Sequence, residues 1–216
     1  MSLDTIMIGA VALLALAFAA WFFIGAQWNA RRAHAGLRWL RNGLPLMGAR
    51  TSMSWIGTSS VILAMPVANE PFKSVEHRLL LEPRDVVPQW AFAHWRGQRD
   101  LFVFRGDLRR NARVEFNLLD VQSRSGKEAL KKATPKEWTQ TTLPGGLLLA
   151  AEGPLAANVA RQMLADLGPL APQVRRVSVR RSAPNVEIHL IAPWLSGLSS
   201  TDVFTAIKNA AQPLLR

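Results

Sequence analysis

Residues 174–191 read VRRVSVRRSAPNVEIHLI, two alternating runs on either side of Ser182-Ala183-Pro184-Asn185. Alternation with a period of two marks a half-buried strand, and a break of this kind between two such runs marks a hairpin. In one register Val177 and Val179 face Leu190 and Ile188, while Ser178 and Arg180 face His189 and Glu187. That makes one face apolar and the other charged. The polar side carries a basic cluster, and Arg176, Arg180 and Arg181 are its candidate anion- or partner-binding residues. Such a cluster suits an acidic partner segment or lipid headgroups. A solvated basic face that guards an exposed strand against pairing explains it equally well.

Working outward from the hairpin, the C-terminal third predicts β-α-β-β-α. Gly153-Pro154 opens a helix whose Leu155, Val159, Met163 and Leu167 recur at i+4, and Gly168-Pro169 closes it. A last helix starts near Ser199, where Ser199 and Asp202 form a capping pair, and Phe204, Ile207, Ala211 and Leu214 make its buried stripe. Such a run fits a ferredoxin-like split unit that an earlier strand completes. Earlier strands are predicted over residues 53–56, 60–65, 75–81, 101–105, 113–119, 138–143 and 147–151. A short helix follows Asp85, with Pro88 in its first turn and Gly97 after it, and residues 122–135 read as an exposed basic loop with room for a short helix around 127–133. The fold class is therefore α+β, a mainly antiparallel sheet with helices on one face.

The N-terminus is of another kind. Residues 6–26 form an uncharged apolar run of 21 residues, long enough as a helix for the ~30 Å hydrocarbon core. A cleaved signal sequence fits less well, because Asp4 stands where a basic segment is expected and Trp21-Phe22-Phe23 follows the small residues. A buried core helix is the remaining alternative. Arg31, Arg32, Arg38, Arg41 and Arg50 follow the run, and no acid occurs between Asp4 and Glu70. The positive-inside rule then puts the N-terminus outside and the rest in the cytoplasm, at the inner face of the cell membrane. Trp21, Trp28, Arg31, Arg32, Arg38, Trp39 and Arg41 are the expected membrane-interface residues.

Residues 1–28 are thus read as a transmembrane helix, 29–45 as a basic juxtamembrane helix or linker, and 46–216 as a cytoplasmic domain. In the second piece Ala33, Leu37, Leu40 and Leu44 form an apolar stripe, and Asn42-Gly43 with Pro45 signals a stop. That piece either lies on the anionic leaflet or continues the membrane helix.

The chain has 216 residues, no cysteine and no tyrosine, which excludes disulfide scaffolds, thiol nucleophiles and Cys-based metal sites. The net charge of +11 divides into −1 over residues 1–26, +5 over 27–69 and +7 over 70–216, so much of it is a juxtamembrane signature. His34, His77, His94 and His189 have no metal-ligand spacing, and no Gly-rich phosphate loop or nucleophile elbow occurs. No cofactor or metal is expected.

The densest polar stretch, residues 82–113, interleaves Glu82, Asp85, Asp100 and Asp107 with arginines. Arginine beside a carboxylate favours its ionised form, which suits an ion-pair network better than acid catalysis. A membrane-tethered hydrolase using those carboxylates is the alternative. Trp90, Phe92 and Trp95 beside arginines raise base stacking, yet no nucleic-acid motif accompanies them, and the competing reading is that Trp90 and Trp95 pack on the core or dip into the membrane interface. The sequence points to a membrane-anchored, non-catalytic binding or scaffold module. Its expected partners are the lipid bilayer and either anionic headgroups or an acidic or membrane protein.

Overall fold

One uninterrupted helix, α1, runs from Leu3 to Met47 in the computed structural model, which describes residues 3–132 and 134–215. Its 45 residues make it about 68 Å long at the usual rise. Residues 3–20 are exposed along their whole length. Beyond them Gly25, Asn29, Ala33, Gly36, Leu40, Gly43 and Met47 are buried. They recur at steps of four or three, close to the helical period, and so form one stripe along α1.

The stripe differs from the expected one. Leu37 and Leu44 flank it, half-buried, and the glycines lie in its centre. A Cβ on Gly43 would fall 2.5 Å from the Phe204 ring, and one on Gly36 would fall 2.9 Å from Leu79. Small residues here let the helix backbone approach the fold closely. The helix also passes through Asn42-Gly43 and Pro45 before ending at Met47. Asn69 caps that end: its amide nitrogen donates to Pro45 O and Leu46 O, and its backbone N–H to Met47 O. Residues 29–45 are therefore part of the packed unit, and the packing does not divide at the expected boundaries.

The strands are β1 (Ser52–Ile56), β2 (Ser60–Met65), β3 (Phe72–Leu80), β4 (Leu101–Leu108), β5 (Phe116–Asp120), β6 (Thr139–Thr142), β7 (Leu147–Ala151), β8 (Val174–Val179) and β9 (Val186–Ile191). They form one nine-stranded sheet in the order β1-β2-β3-β4-β9-β8-β5-β7-β6, each neighbouring pair antiparallel. The helices are α2 (Val87–Trp95), α3 (Arg124–Lys132), α4 (Pro154–Asp166) and α5 (Ser200–Ala211). The architecture is α+β. β5 lies between β7 and β8, so these two run parallel and α4 connects them across the sheet. The edge strands β1 and β6 are short and exposed.

Register puts His77, Phe104, Ile188, Val177, Leu118 and Leu149 side by side across six strands. This is the core face, covered by α1, α4 and α5. α3 is an exception to the expected one-sided arrangement. It packs on β5 and β8 from the other face, beside Asn117, whose amide nitrogen donates to Thr134 Oγ1 at 2.9 Å. The β8–β9 pairing is Val177 to Ile188 and Val179 to Val186, two residues from the expected register. The Arg180 N–H donates to Asn185 O and closes the turn one position earlier than expected. An even shift leaves every side chain on its expected face. Ser199 caps α5 by accepting from the Asp202 N–H at 3.1 Å. At α2 the N-cap is Val86 rather than Asp85, which instead accepts a hydrogen bond from Thr58 Oγ1 at 2.6 Å.

His77 is fully buried among Phe102, Phe104 and Phe204, with ring centroids 4.9–5.7 Å away. Neither ring nitrogen has a hydrogen-bond partner, and burial lowers its pKa to about 3. The unfolded chain takes up this proton near pH 6.5 and the folded chain only near 3. Folding stability therefore falls with pH across that window, by about 1.4 kcal/mol per unit. His77→Phe is expected to remove this contribution, seen as a flatter fall of unfolding free energy with pH than in the parent.

The packing of α1 gives a second expectation. A chain beginning at residue 27 keeps most of the buried stripe, whereas one beginning at residue 46 uncovers Leu79 and Phe204, both 0 % exposed here. The first should unfold cooperatively in a near-ultraviolet circular dichroism melt. The second should show no transition.

Candidate membrane interface

The polar stretch after β3 builds its site where α1 enters the fold. Arg84 makes a bidentate pair with Asp100, Nη1 to Oδ1 at 2.9 Å and Nη2 to Oδ2 at 3.1 Å. Glu82 Oε1 lies 3.4 Å from the same guanidinium. From α1, Asn29 Oδ1 accepts from Arg84 Nη1 at 3.2 Å while its Nδ2 donates to Glu82 O at 3.0 Å. Asn29, Glu82, Arg84 and Asp100 are all buried. Their mutual hydrogen bonds offset the cost of removing three charged groups from water.

Aromatic rings close the junction. Trp90 of α2 sits 6.0 Å from Trp21 and 6.1 Å from Trp28, and its Nε1 donates to Glu82 Oε2 at 2.8 Å. Trp21 Nε1 donates to Arg84 O at 2.8 Å, and Arg84 lies over the Trp28 ring at 5.4 Å. At Gly25 a Cβ would fall 2.1 Å from Arg84 O, so only glycine admits this contact with the backbone. Outside the junction, Ile56, Val86, Phe92, Trp95 and Leu195 are exposed. They lie toward one end of the sheet, where β1, β3 and β9 end and β2 and β4 begin.

Several expected site residues lie elsewhere. Trp39 packs, half-buried, against Phe102, Trp194 and Phe204, and its Nε1 donates to Leu198 O at 2.7 Å. Arg31, Arg38 and Arg41 are exposed and Arg32 is half-buried. Along a straight helix Arg38 and Arg41 stand about 25 and 30 Å beyond Trp21, well over the ~8 Å screening length. Only Arg31 and Arg32 stay near the junction.

Two of the three hairpin arginines carry ion pairs. Arg176 pairs with Glu187 at 3.3 Å and Arg181 with Glu152 at 2.7 Å, while Arg180 is half-buried beside them. Arg105 also reaches Glu187, at 3.1 Å. Burial acts to raise the Glu187 pKa, but the His189 hydrogen bond and the charges of Arg176 and Arg105 outweigh it and hold it at about 2. Burial in turn lowers the His189 pKa.

The four acids of residues 82–107 do not converge. Glu82 and Asp100 serve Arg84, Asp85 takes Thr58, and Asp107 accepts from Ser74 Oγ at 2.7 Å. Among the described residues no group of three or more His, Asp or Glu side chains is placed to hold a metal. Asn29 is the residue of this site that the sequence does not announce. An uncharged amide inside a helix carries no signal until its partner, Arg84, is known.

Among the described residues one helix, α1, is long and apolar enough to cross a membrane; its most apolar window has a mean hydropathy of 2.5 and is not buried. Compared with known proteins, the chain matches no family model, and no curated protein matches its sequence.

Asp100→Ala takes the bidentate partner from the buried Arg84 and leaves it only Glu82, and should cost about 3 kcal/mol in denaturant unfolding. Arg84→Met should cost at least as much, because it leaves Glu82 and Asp100 buried without their shared cation.

Proposed function

We propose that this chain is a single-pass membrane protein that holds a non-catalytic binding or scaffold module against the inner face of the cell membrane. The observation that carries the reading is the junction. α1 enters the fold without a flexible linker and is tied to it at Trp21, Gly25 and Asn29. An anchor built this way presents the same end of the sheet to the bilayer at all times. A tether would leave that orientation free.

The charge pattern supports a cytoplasmic domain. Five arginines follow the apolar run before the first acid, Glu70, as the positive-inside rule requires. Anionic lipid headgroups or an acidic membrane-protein segment are the partners of matching chemistry. The hydrolase alternative has no carboxylate pair free of other duties, and the base-stacking alternative loses Trp90 to the junction.

The chain's lack of cysteine makes a clean topology test possible. One cysteine is added ahead of Met1 or introduced by Ser182→Cys, and intact cells are treated with a membrane-impermeant maleimide. Labelling is expected at the N-terminus, and at Ser182 only after lysis. The reverse pattern, or labelling of both in intact cells, overturns the proposed orientation.

A further inference from the structure

The helix α2 has two faces, and only one is used. Trp90 and Ala93 turn toward the fold, Trp90 lodged between Trp21 and Trp28. Pro88, Ala91, Phe92 and Trp95 are all exposed. They stand at i, i+3, i+4 and i+7, so they form a single apolar stripe on the opposite side. Trp95 is 83 % exposed and Phe92 52 %, an unusual burden for water to carry on nine residues of helix.

The height of this face along α1 is set by Trp90. Trp21 and Trp28 bracket the end of the uncharged run, three residues before the first basic residue, Arg31. That is the level at which indole rings meet lipid headgroups. On α1 itself Phe22, Phe23 and Ile24 are exposed just before the junction at Gly25.

Charge completes the pattern. A groove of about 780 Å³ separates α2 from α3. Phe92 and Trp95 line one side, Arg96, Lys127 and Lys131 supply cations, and among the described residues no carboxylate lines it. Arg96 lies over the Phe92 ring at 4.4 Å. An apolar stripe flanked by cations is the signature of a helix lying in the interface of an anionic leaflet.

We propose that the outward face of α2 is a second membrane contact. It seats in the leaflet that α1 enters, with the phosphate of an anionic phospholipid held in the groove by Arg96, Lys127 and Lys131. This rests on the reading that α1 crosses the bilayer. The two contacts together fix both the height and the rotation of the sheet about the α1 axis.

The test uses the full chain reconstituted into vesicles, with single cysteines carrying an environment-sensitive fluorophore. Ala91→Cys lies in the middle of the stripe and spares both rings, Leu14→Cys lies in the apolar run, and Ser182→Cys lies at the far end of the sheet. Nitroxide lipids with the quencher at the headgroup or deep in the chain report depth. The Ala91 label is expected to be quenched by the headgroup probe, the Leu14 label by the deep probe, and the Ser182 label by neither.

An unquenched Ala91 label with a quenched Leu14 label overturns this proposal and leaves the span standing. An unquenched Leu14 label overturns the span and this proposal with it. Adding phosphatidylglycerol to phosphatidylcholine vesicles should increase seating of the Ala91 label. Lys127→Gln and Lys131→Gln should reduce that gain by about fivefold for each cation removed. A gain that neither variant changes, or that soluble glycerol phosphate reproduces without anionic lipid, overturns the headgroup assignment.

Discussion

Arg84 is the point through which α1 and the sheet are joined. Its guanidinium holds Asp100 at the head of β4 in a planar, two-point contact and takes Asn29 of α1 on the same side. Its own carbonyl accepts from Trp21. A bidentate pair fixes direction as well as distance. Hydrophobic packing alone would let a smooth helix slide or rotate on the sheet, whereas here Asn29 and Trp21 are pinned two turns apart. The glycine at position 25 is a consequence of the same contact, because the Arg84 backbone occupies the space of a side chain.

The two faces of the sheet are stabilised by different means. On the core face, aromatic and aliphatic rows meet α1, α4 and α5, and the neutral ring of His77 is accommodated as one more aromatic group. On the other face, Glu76, Arg105, Glu187 and Arg176 alternate in sign across neighbouring strands. Each charge there has an opposite charge one strand away, so the face can stay partly hydrated where α3 does not cover it. Of the hairpin arginines, Arg175, Arg176 and Arg181 pair with carboxylates from β9 and from the ends of β5 and β7.

The same arrangement places the junction with α1 at one end of the sheet. Several charges of the sheet are paired within the chain, and the exposed rings of Phe92 and Trp95 lie on α2 beside the helix exit. The anchoring reading and the second-contact reading both depend on that end, and both follow from the absence of a linker after residue 24.

What the sequence determined by itself is whatever depends on near neighbours in the chain. The apolar run, the alternating strands, the turns and the Ser199 cap of α5 are all short-range patterns, and the α+β class follows from them. The parity of the β8–β9 hairpin was legible too, since side-chain direction alternates regardless of register. Tertiary structure alone decided the rest. Gly36 and Gly43 are central to the α1 stripe because of what approaches them, which no hydrophobicity pattern records. Trp39 looks the same as Trp28 in sequence, but α5 and Phe102 cover it. Arg176 and Arg181 lose their apparent freedom to Glu187 and Glu152, and Arg84 becomes the hinge of the site by meeting Asn29 from 55 residues away. Interactions of that kind depend on distances that exist only once the chain has closed on itself, so no local reading of composition or period contains them.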